Sequence, residues 1–196
     1  MTINMEKQDF TQAESLYREW NDKINVISRK DMDHIYEHHI RHSLAIAEYM
    51  QFAPGDTVLD VGTGGGFPGI PLAMRFPETD FTLCDSIGKK ILVAKAVAEG
   101  LGLTNVRCIN ARAESLPDTY DYIVSRAVTS LVNFYPWVKD KYRRGMLFLK
   151  GGDVNAEISE LLRKYKLSPS KIHVWNISSV YKDEYFAEKF VIHLEK

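Results

Sequence analysis

The sequence is poor in cysteine, carries no excess of either charge and contains no long apolar run. Its 2 cysteines, Cys84 and Cys108, are too few for a disulfide scaffold, and both are predicted to be small buried residues in a reducing compartment. The first residues, Met1 to Gln12, are polar and unlike a signal peptide, and no apolar stretch is long enough to span a membrane. These features predict a cytoplasmic protein that does not contact membranes.

Acidic and basic residues are nearly balanced, so the composition does not indicate which partners the protein binds. A formal net charge of −1 gives no support for nucleic-acid binding by overall charge, so an RNA surface would require local clusters of basic residues. A hydrophobic fraction of 45% in 196 residues suits one globular domain with a short extension.

The extension is predicted to be an N-terminal helical cap over residues 1–53. Asp31 is placed to cap its middle helix, and the turn Pro54-Gly55-Asp56 follows its last helix. The main domain is predicted over residues 54–196. Apolar spacing and capping signals predict the helices of the cap at 9–21, 32–40 and 43–52.

The cap contains a group of histidines that could suggest a metal site. His38 and His42 are four residues apart, which is compatible with metal ligation from one helix. No cysteine and no second pair of ligands accompanies them. We therefore interpret the group as a polar, partly basic surface and expect no metal. Its members are His34, His38, His39 and His42.

Strands and helices alternate from residue 57 onward, which is typical of a mostly parallel sheet. The last two strands are joined by a long connection and are expected to form an antiparallel edge. The pattern predicts an α/β, Rossmann-like fold in which a seven-stranded, mostly parallel sheet carries helices on both faces. Strands are predicted at 57–61, 80–85, 105–109, 120–125, 145–150, 171–176 and 189–194, and helices at 68–75, 87–101, 130–141 and 154–165.

A glycine-rich loop follows the first strand and fits two cofactor patterns. Counted from Gly64, it satisfies the dinucleotide pattern G-x-G-x-x-G. Counted from Asp60, it is acid-x-G-x-G-x-G, with glycines at 62, 64 and 66, and looks like the first motif of S-adenosylmethionine (SAM) methyltransferases. In the second pattern the acid helps to hold the cationic amino group of SAM. Pro68 suits the start of the next helix.

The ends of the second and third strands carry further candidate cofactor residues. Asp85 lies about 20 residues beyond the loop, where an acid can accept both ribose hydroxyls of a nucleoside. Ser86 is predicted to cap the following helix. Ala113 and Glu114 follow the third strand, where this class of fold contacts adenine. These positions favour the SAM pattern over the dinucleotide pattern.

The loop after the fourth strand, Ser125-Arg126-Ala127, is where the transferred methyl group is expected. Enzymes that methylate exocyclic amines of bases have an Asn/Asp-Pro-Pro-aromatic motif there, and neither cysteine is placed to act as a nucleophile. A nucleophile that loses no proton therefore remains, and N7 of guanine is one, since its lone pair is free at neutral pH. Arg126 stays charged, so it could bind the cofactor's carboxylate, stack on a base, bind a phosphate or form an ion pair.

Blocks of sequence along nearly the whole chain resemble the RsmG (GidB) family. That resemblance implies SAM-dependent methylation of guanine N7 in the 16S rRNA of the small ribosomal subunit. It also implies that Gly62, Phe67, Ala113, Glu114 and Arg126 line the cofactor site. The blocks are Trp20-Asn21-x-x-Ile24-Asn25, His39-Ile40-x-x-Ser43, Gly62 to Ala73, Asp85-Ser86-x-x-Lys89-Lys90, Arg112-Ala113-Glu114, Ser125-Arg126-Ala127 and Leu149-Lys150-Gly151.

Two positions depart from the family pattern. His42 stands where the family often has an acid, and Lys189 stands where an arginine is common. Both departures concern positions that could contact substrate rather than cofactor.

The motifs and the resemblance together define the predicted sites. No residue is assigned as a catalytic base, and a monomer is expected. Alternative functions are a small-molecule methyltransferase, an NAD-dependent dehydrogenase that uses the other glycine pattern, and a non-catalytic RNA-binding protein that senses SAM. The predicted SAM-binding residues are Gly62, Gly64, Gly66, Phe67, Asp85, Ser86, Ala113, Glu114 and Arg126, and the residues predicted to contact RNA phosphates are Arg29, Lys30, Arg41, Lys89 and Lys90, with Arg126 as a further candidate.

Overall fold

The sheet has seven strands in the order β3-β2-β1-β4-β5-β7-β6. The structure, a computed structural model, describes residues 6–196, so residues 1–5 of the predicted cap lie outside the described part. The first five strands are parallel, whereas β7 runs antiparallel to both β5 and β6. This arrangement confirms the predicted sheet. The strands are β1 Thr57–Val61, β2 Asp80–Asp85, β3 Val106–Asn110, β4 Tyr120–Arg126, β5 Tyr142–Gly151, β6 Ile172–Asn176 and β7 Lys189–Glu195.

The strand order places the candidate site. The order reverses between β1 and β4, and in open α/β sheets ligands bind beyond the carboxyl ends of the strands at such a point. Because helices cover both faces, Val58 and Leu59, which point to opposite faces of β1, are both fully buried. The glycine loop, Asp85 and Arg126 all lie at the carboxyl ends of these strands.

Helices pack on both faces of the sheet, as predicted. A π-helical turn, Tyr36–Arg41, leads directly into α3, and single 3-10 turns lie at Lys7–Phe10, Ala113–Ser115, Pro169–Lys171, Ile177–Ser179 and Glu184–Phe186. The helices are α1 Thr11–Lys23, α2 Arg29–Met32, α3 His42–Tyr49, α4 Gly69–Arg75, α5 Gly88–Gly100, α6 Leu131–Val138 and α7 Asn155–Tyr165.

The predicted helix over 32–40 with Asp31 as its cap is wrong. The capping residue is Ser28, whose hydroxyl oxygen accepts the Asp31 N–H at 3.2 Å, so the short α2 begins at Arg29. The Asp31 carboxylate instead contacts Nδ1 of His38 at 3.0 Å. The helix predicted over 43–52 ends at Tyr49, because Met50 is extended and leads toward β1.

The N-terminal helices pack directly against the glycine loop. The Tyr17 ring stacks on Phe67 with centroids 4.6 Å apart, and its hydroxyl donates to the Gly65 carbonyl at 2.9 Å. Val26 lies against Gly65 so closely that a Cβ on this glycine would be 2.9 Å from the valine side chain. The described part of the predicted cap therefore shares a core with the sheet. Its separation from residues 54–196 as a unit remains a prediction.

Two further predictions concern the cysteines and the membrane. Cys84 is buried, Cys108 is half-buried, and both are free thiols. Burial raises the pKa of each thiol to about 11, which keeps both protonated at neutral pH. Within residues 6–196, every helix is too short or too polar to cross a membrane.

Candidate cofactor and substrate site

The glycine loop adopts a conformation that side chains would obstruct. Gly62 has a φ of +69°, and a Cβ there would clash with Val128. Gly66 has a φ of +110°, and a Cβ there would clash with Ile70 and approach the Tyr17 hydroxyl. Gly62 therefore brings backbone to the site surface, whereas Gly66 lies beneath the loop and lines neither of the two cavities described below.

Asp60 lies fully buried under this loop. Its Oδ2 accepts from the Thr63 hydroxyl at 2.6 Å and from the Gly69 N–H at 2.8 Å, which ties the loop to the start of α4. Its Oδ1 is buried without a partner. Burial raises the pKa of the carboxyl group to about 7, while the bonds from Thr63 and Gly69 oppose that rise. Asp60 lines neither of the two cavities described below, so this orphaned carboxylate oxygen fits an interaction with the cationic amino group of SAM through water.

Asp85, at the end of β2, joins the loop to the next helix. Its Oδ2 accepts from the Gly64 N–H at 3.0 Å, and its Oδ1 accepts from the Ile87 N–H at 2.9 Å. The predicted capping by Ser86 is wrong, because the Asp85 carboxylate takes the N–H at the start of α5. Each carboxylate oxygen keeps capacity for another hydrogen bond. Asp85 can thus accept two ribose hydroxyls in addition to its backbone donors.

The first cavity, about 290 Å³, lies between β1, β2 and the loop after β3. Trp137, Ile87 and Val128 provide apolar surface along its walls. Ala113 begins a 3-10 turn, whose first N–H groups have no partner within the turn. Apolar walls with polar groups at both ends suit a nucleoside. Of the predicted residues, Gly62, Asp85, Ser86, Ala113 and Glu114 line this cavity.

The second cavity, about 560 Å³, continues from the first. The two share Gly62, Lys90 and Ala127. Of the predicted cofactor residues, Gly64, Phe67 and Arg126 line this larger cavity. The larger cavity lies beyond the ends of β4 and β5, where the transferred methyl group is expected.

Arg126 is held in place by the π-helical turn. Its Nη1 donates to the His38 carbonyl at 3.1 Å, its Nη2 lies 2.9 Å from Nδ1 of His39, and its guanidinium carbon lies 5.1 Å from the Phe67 ring centroid. Burial, followed by the charge of Arg126, lowers the pKa of His39 to about 3. His39 is therefore neutral, and its Nδ1 accepts the hydrogen bond. Within residues 6–196 no carboxylate forms an ion pair with Arg126, so the structure does not support that one of its four predicted roles.

The remaining histidines are engaged with protein groups. The His38 ring stacks between Tyr185 and His34, with centroid separations of 3.9 Å and 4.8 Å. Its hydrogen bond lowers the pKa of Asp31. His42 is buried, which lowers its pKa to about 3, and its Nδ1 lies 3.4 Å from the Tyr185 hydroxyl. Over residues 6–196 no group of three metal-ligating side chains comes together.

The predicted RNA contacts differ in their surroundings. Arg29, Lys30 and Lys89 are exposed, and half-buried Lys90 stands where the two cavities meet. Arg41 is paired with Asp183 at 2.6 Å and lies over the Tyr181 ring at 4.3 Å. Arg41 is therefore already occupied by protein contacts.

Sequence reasoning missed Glu157 and Tyr185, which line the larger cavity, and assigned no role to Lys150, whereas Lys189 was already a candidate for substrate contact. Lys150 and Glu157 form an ion pair at 3.0 Å there, and Tyr185 and Lys189 approach from the last connection and strand. The position of Lys150 at a strand end was a usable signal. No sequence pattern around Tyr185 or Glu157 indicates that these residues line the cavity.

Nearly the whole described chain matches a known family. The model of the family described as rRNA small subunit methyltransferase G (GidB) matches residues 6–184.

The chain belongs to this family.

Ribosomal RNA small subunit methyltransferase G from Cytophaga hutchinsonii is 48% identical over 195 residues, covering 95% of this chain and 91% of that protein. The protein of the same name from Flavobacterium johnsoniae is 47% identical, covering 97% and 91%. The rRNA small subunit methyltransferase G family therefore accounts for nearly all of the chain. The chain is a SAM-dependent methyltransferase, which rules out the alternative dehydrogenase and non-catalytic functions.

Solved structures agree on the fold. Magnesium protoporphyrin IX methyltransferase from Synechocystis PCC 6803, solved with bound SAM, matches with a TM-score of 0.64 at 14% identity and covers 100% of both chains. A SAM-dependent O-methyltransferase from Thermotoga maritima matches with a TM-score of 0.63 at 17% identity, covering 85% of this chain and 69% of its own. These similarities confirm the predicted Rossmann-like methyltransferase fold.

Proposed function

We propose that this protein transfers the methyl group of SAM to N7 of a guanine in 16S rRNA of the small ribosomal subunit. Family membership supports a small-subunit rRNA substrate. The choice of guanine N7 rests on the chemistry around Arg126. Family membership and the breadth of the larger cavity favour rRNA over a small-molecule substrate.

The observation that carries the choice of N7 is that the groups nearest Arg126 are poor proton acceptors. The Ser125 hydroxyl is buried and donates to the Val61 carbonyl at 3.0 Å. His39 and His42 have pKa values lowered to about 3. Exocyclic amines and hydroxyls must lose a proton during methylation, whereas N7 of guanine has none to lose. None of these three groups therefore serves as a general base, and direct in-line transfer to N7 of guanine needs none.

The chain's own residues bind and orient the reactants. SAM supplies an electrophilic methyl group on a sulfonium. The orphaned oxygen of Asp60 and the loop backbone accommodate its amino-acid end, Asp85 accepts the ribose hydroxyls, and Ala113 and Glu114 meet the adenine. Arg126, held by His39, stands at the junction with the substrate cavity, where it contacts the cofactor's carboxylate or the target nucleotide. The full proposed cofactor set is Gly62, Gly64, Phe67, Asp85, Ser86, Ala113, Glu114 and Arg126, with Gly66 shaping the loop.

RNA phosphates are proposed to meet the exposed basic residues around the cavity mouth. Arg29, Lys30, Lys89 and Lys90 are available for such contacts, whereas Arg41 would have to leave Asp183. Contacts to phosphates release counterions, so affinity for rRNA should fall steeply as salt rises. We further propose that the enzyme acts as a monomer in the cytoplasm, where the small subunit is assembled.

Labelled SAM tests the proposed product directly. The enzyme is incubated with labelled SAM and either naked 16S rRNA or small subunits, and the modified nucleosides are separated by chromatography and mass spectrometry. We expect the label in 7-methylguanosine at one mapped position. Label in any other nucleoside, or in none, refutes the proposal.

A further inference from the structure

Lys150 and Glu157 form a partly buried ion pair inside the larger cavity. Lys150 lies near the end of β5, and Glu157 lies in the first turn of α7. The lysine Nζ is 3.0 Å from Oε2 and 3.3 Å from Oε1 of Glu157, and the two side chains are 14% and 33% exposed. The pair lines the same cavity as Ala127, which also lines the cofactor cavity. The pair therefore lies in the cavity that adjoins the cofactor cavity.

Neighbouring backbone groups fix the position of both charges. Lys150 Nζ donates to the Thr129 carbonyl at 2.6 Å, and Glu157 Oε2 accepts from the Leu131 N–H at 3.2 Å. An ammonium group has three donors, so Lys150 keeps one after bonding Thr129 and Glu157. Each carboxylate oxygen has two acceptor sites, so Glu157 keeps acceptor capacity as well. The pair is thus preorganised, yet it can still bind a ligand.

An adjacent donor and acceptor of this kind match the Watson–Crick edge of guanine. That edge presents the acceptor O6 beside two donors, N1–H and the N2 amino group. Adenine presents a donor beside an acceptor in the same positions, so its pattern is reversed. Enzymes that act on an extruded base read it by hydrogen bonds to this edge. Lys150 suits O6, and Glu157 suits N1–H together with the amino group.

We propose that Glu157, with Lys150 beside it, reads the Watson–Crick edge of the target guanine. This inference rests on the proposed function. It adds two specificity-determining residues that contact the substrate rather than the cofactor.

The same contact would assist the chemistry. Methyl transfer to N7 makes the guanine ring cationic and its N1–H more acidic. A carboxylate that accepts N1–H therefore binds the ring more tightly as the methyl arrives, which lowers the barrier instead of only improving binding. Removing the Glu157 charge should consequently lower kcat as well as raise KM.

Inosine in place of the target guanine tests the contact between Glu157 and the N2 amino group, because inosine lacks only that group. We compare wild-type enzyme with Glu157→Gln on small subunits whose 16S rRNA carries guanine or inosine at the mapped position. This substitution keeps the shape of the side chain, and the new amide oxygen can still accept from the Leu131 N–H. We expect inosine to lower wild-type kcat/KM about 10-fold or more, as for a lost hydrogen bond to a charged group. Glu157→Gln should lower kcat/KM on guanine about 10- to 100-fold and largely abolish the difference between guanine and inosine.

Control measurements distinguish a loss of base recognition from misfolding and from a failure of the proposed function. Glu160→Gln, an exposed position on the same helix, should match wild type. SAM affinity measured by calorimetry should be unchanged in Glu157→Gln, which shows that the variant is folded. If 7-methylguanosine forms but the inosine penalty is the same in Glu157→Gln and wild type, Glu157 does not read the base. If wild type makes no 7-methylguanosine at all, the proposed function is what fails.

Discussion

The Arg126 guanidinium donates to Nδ1 of His39 at 2.9 Å, across 87 positions of sequence. This bond joins the end of β4 to the π-helical turn and requires a neutral imidazole. His39 therefore positions Arg126 without itself contacting the reacting atoms.

Replacing His39 tests that positioning role. In His39→Asn the amide oxygen can stand where Nδ1 stood, whereas in His39→Gln it is displaced by one bond. We expect His39→Gln to lower kcat/KM about 10- to 100-fold, because a hydrogen bond to a charged group is lost, and His39→Asn to retain most activity. Steady-state kinetics on small subunits measures both. Equal losses in the two variants would indicate a packing role only.

Asp85 should determine cofactor affinity. Asp85→Asn removes a charge and one acceptor while keeping the size of the side chain, so we expect SAM to bind about 10- to 100-fold more weakly. Calorimetric titration with SAM measures the effect. Asp80→Asn, at the exposed opposite end of the same strand, is the matched control and should bind like wild type. If Asp85→Asn binds SAM as tightly as wild type does, Asp85 does not bind the ribose hydroxyls.

Buried His42 should make stability depend on pH. Its pKa is 6.5 when unperturbed and is lowered to about 3 in the folded protein, so below pH 6.5 the unfolded state binds a proton that the folded state does not. The stability that neutral His42 contributes is thus present above pH 6.5 and is lost as pH falls toward 3. In His42→Leu this contribution disappears.

Chemical denaturation between pH 4 and pH 8 measures the free energy of unfolding of wild type and of His42→Leu. The difference between the two proteins isolates the contribution of His42, because the other titrating residues are common to both. About 1.36 kcal/mol is expected per unit of pKa difference before relaxation. The free energy of unfolding of wild type should approach or fall below that of the variant as pH decreases. A difference independent of pH would contradict the assigned burial.

Ala127 stores backbone strain at the junction of the two cavities. It has a φ of +51°, a conformation that costs an L residue with a side chain roughly 1–2 kcal/mol relative to its usual regions. Ala127→Gly should therefore raise the free energy of unfolding by about 0.5–1 kcal/mol, whereas Ala96→Gly within α5 should lower it by about 1 kcal/mol. Urea denaturation compares the two. A loss of stability in Ala127→Gly would show that the side chain contributes more than the strain costs.

Local patterns predicted most of the fold and the residues at the strand ends that line the smaller cavity. The strand bounds at β1 and β2 were correct, because apolar runs that end at an acid or at glycine are local signals. The residues that cap the helices were less predictable. Asp31 and Ser86 both have side chains suited to capping, but His38 engages the first and Asp85 displaces the second.

The lining of the larger cavity could not be predicted to the same extent. Tyr185 donates to the His38 carbonyl across 147 positions, whereas Lys150 meets Glu157 across only 7 positions because the chain turns between the end of β5 and the first turn of α7. The π-helical turn that presents the His38 carbonyl to both Arg126 and Tyr185 has no signature that apolar spacing would detect.

The sequence by itself determined the order of strands and helices, the glycine loop, the two acids that favour SAM and the resemblance to the family. Each of these depends on residues that are close together in the chain. Only the tertiary structure decided that Asp60 keeps an unpartnered oxygen, that His39 is neutral and holds Arg126, and that Lys150 and Glu157 line the larger cavity. Those properties arise from burial and from contacts between distant segments, and neither exists until the chain has folded.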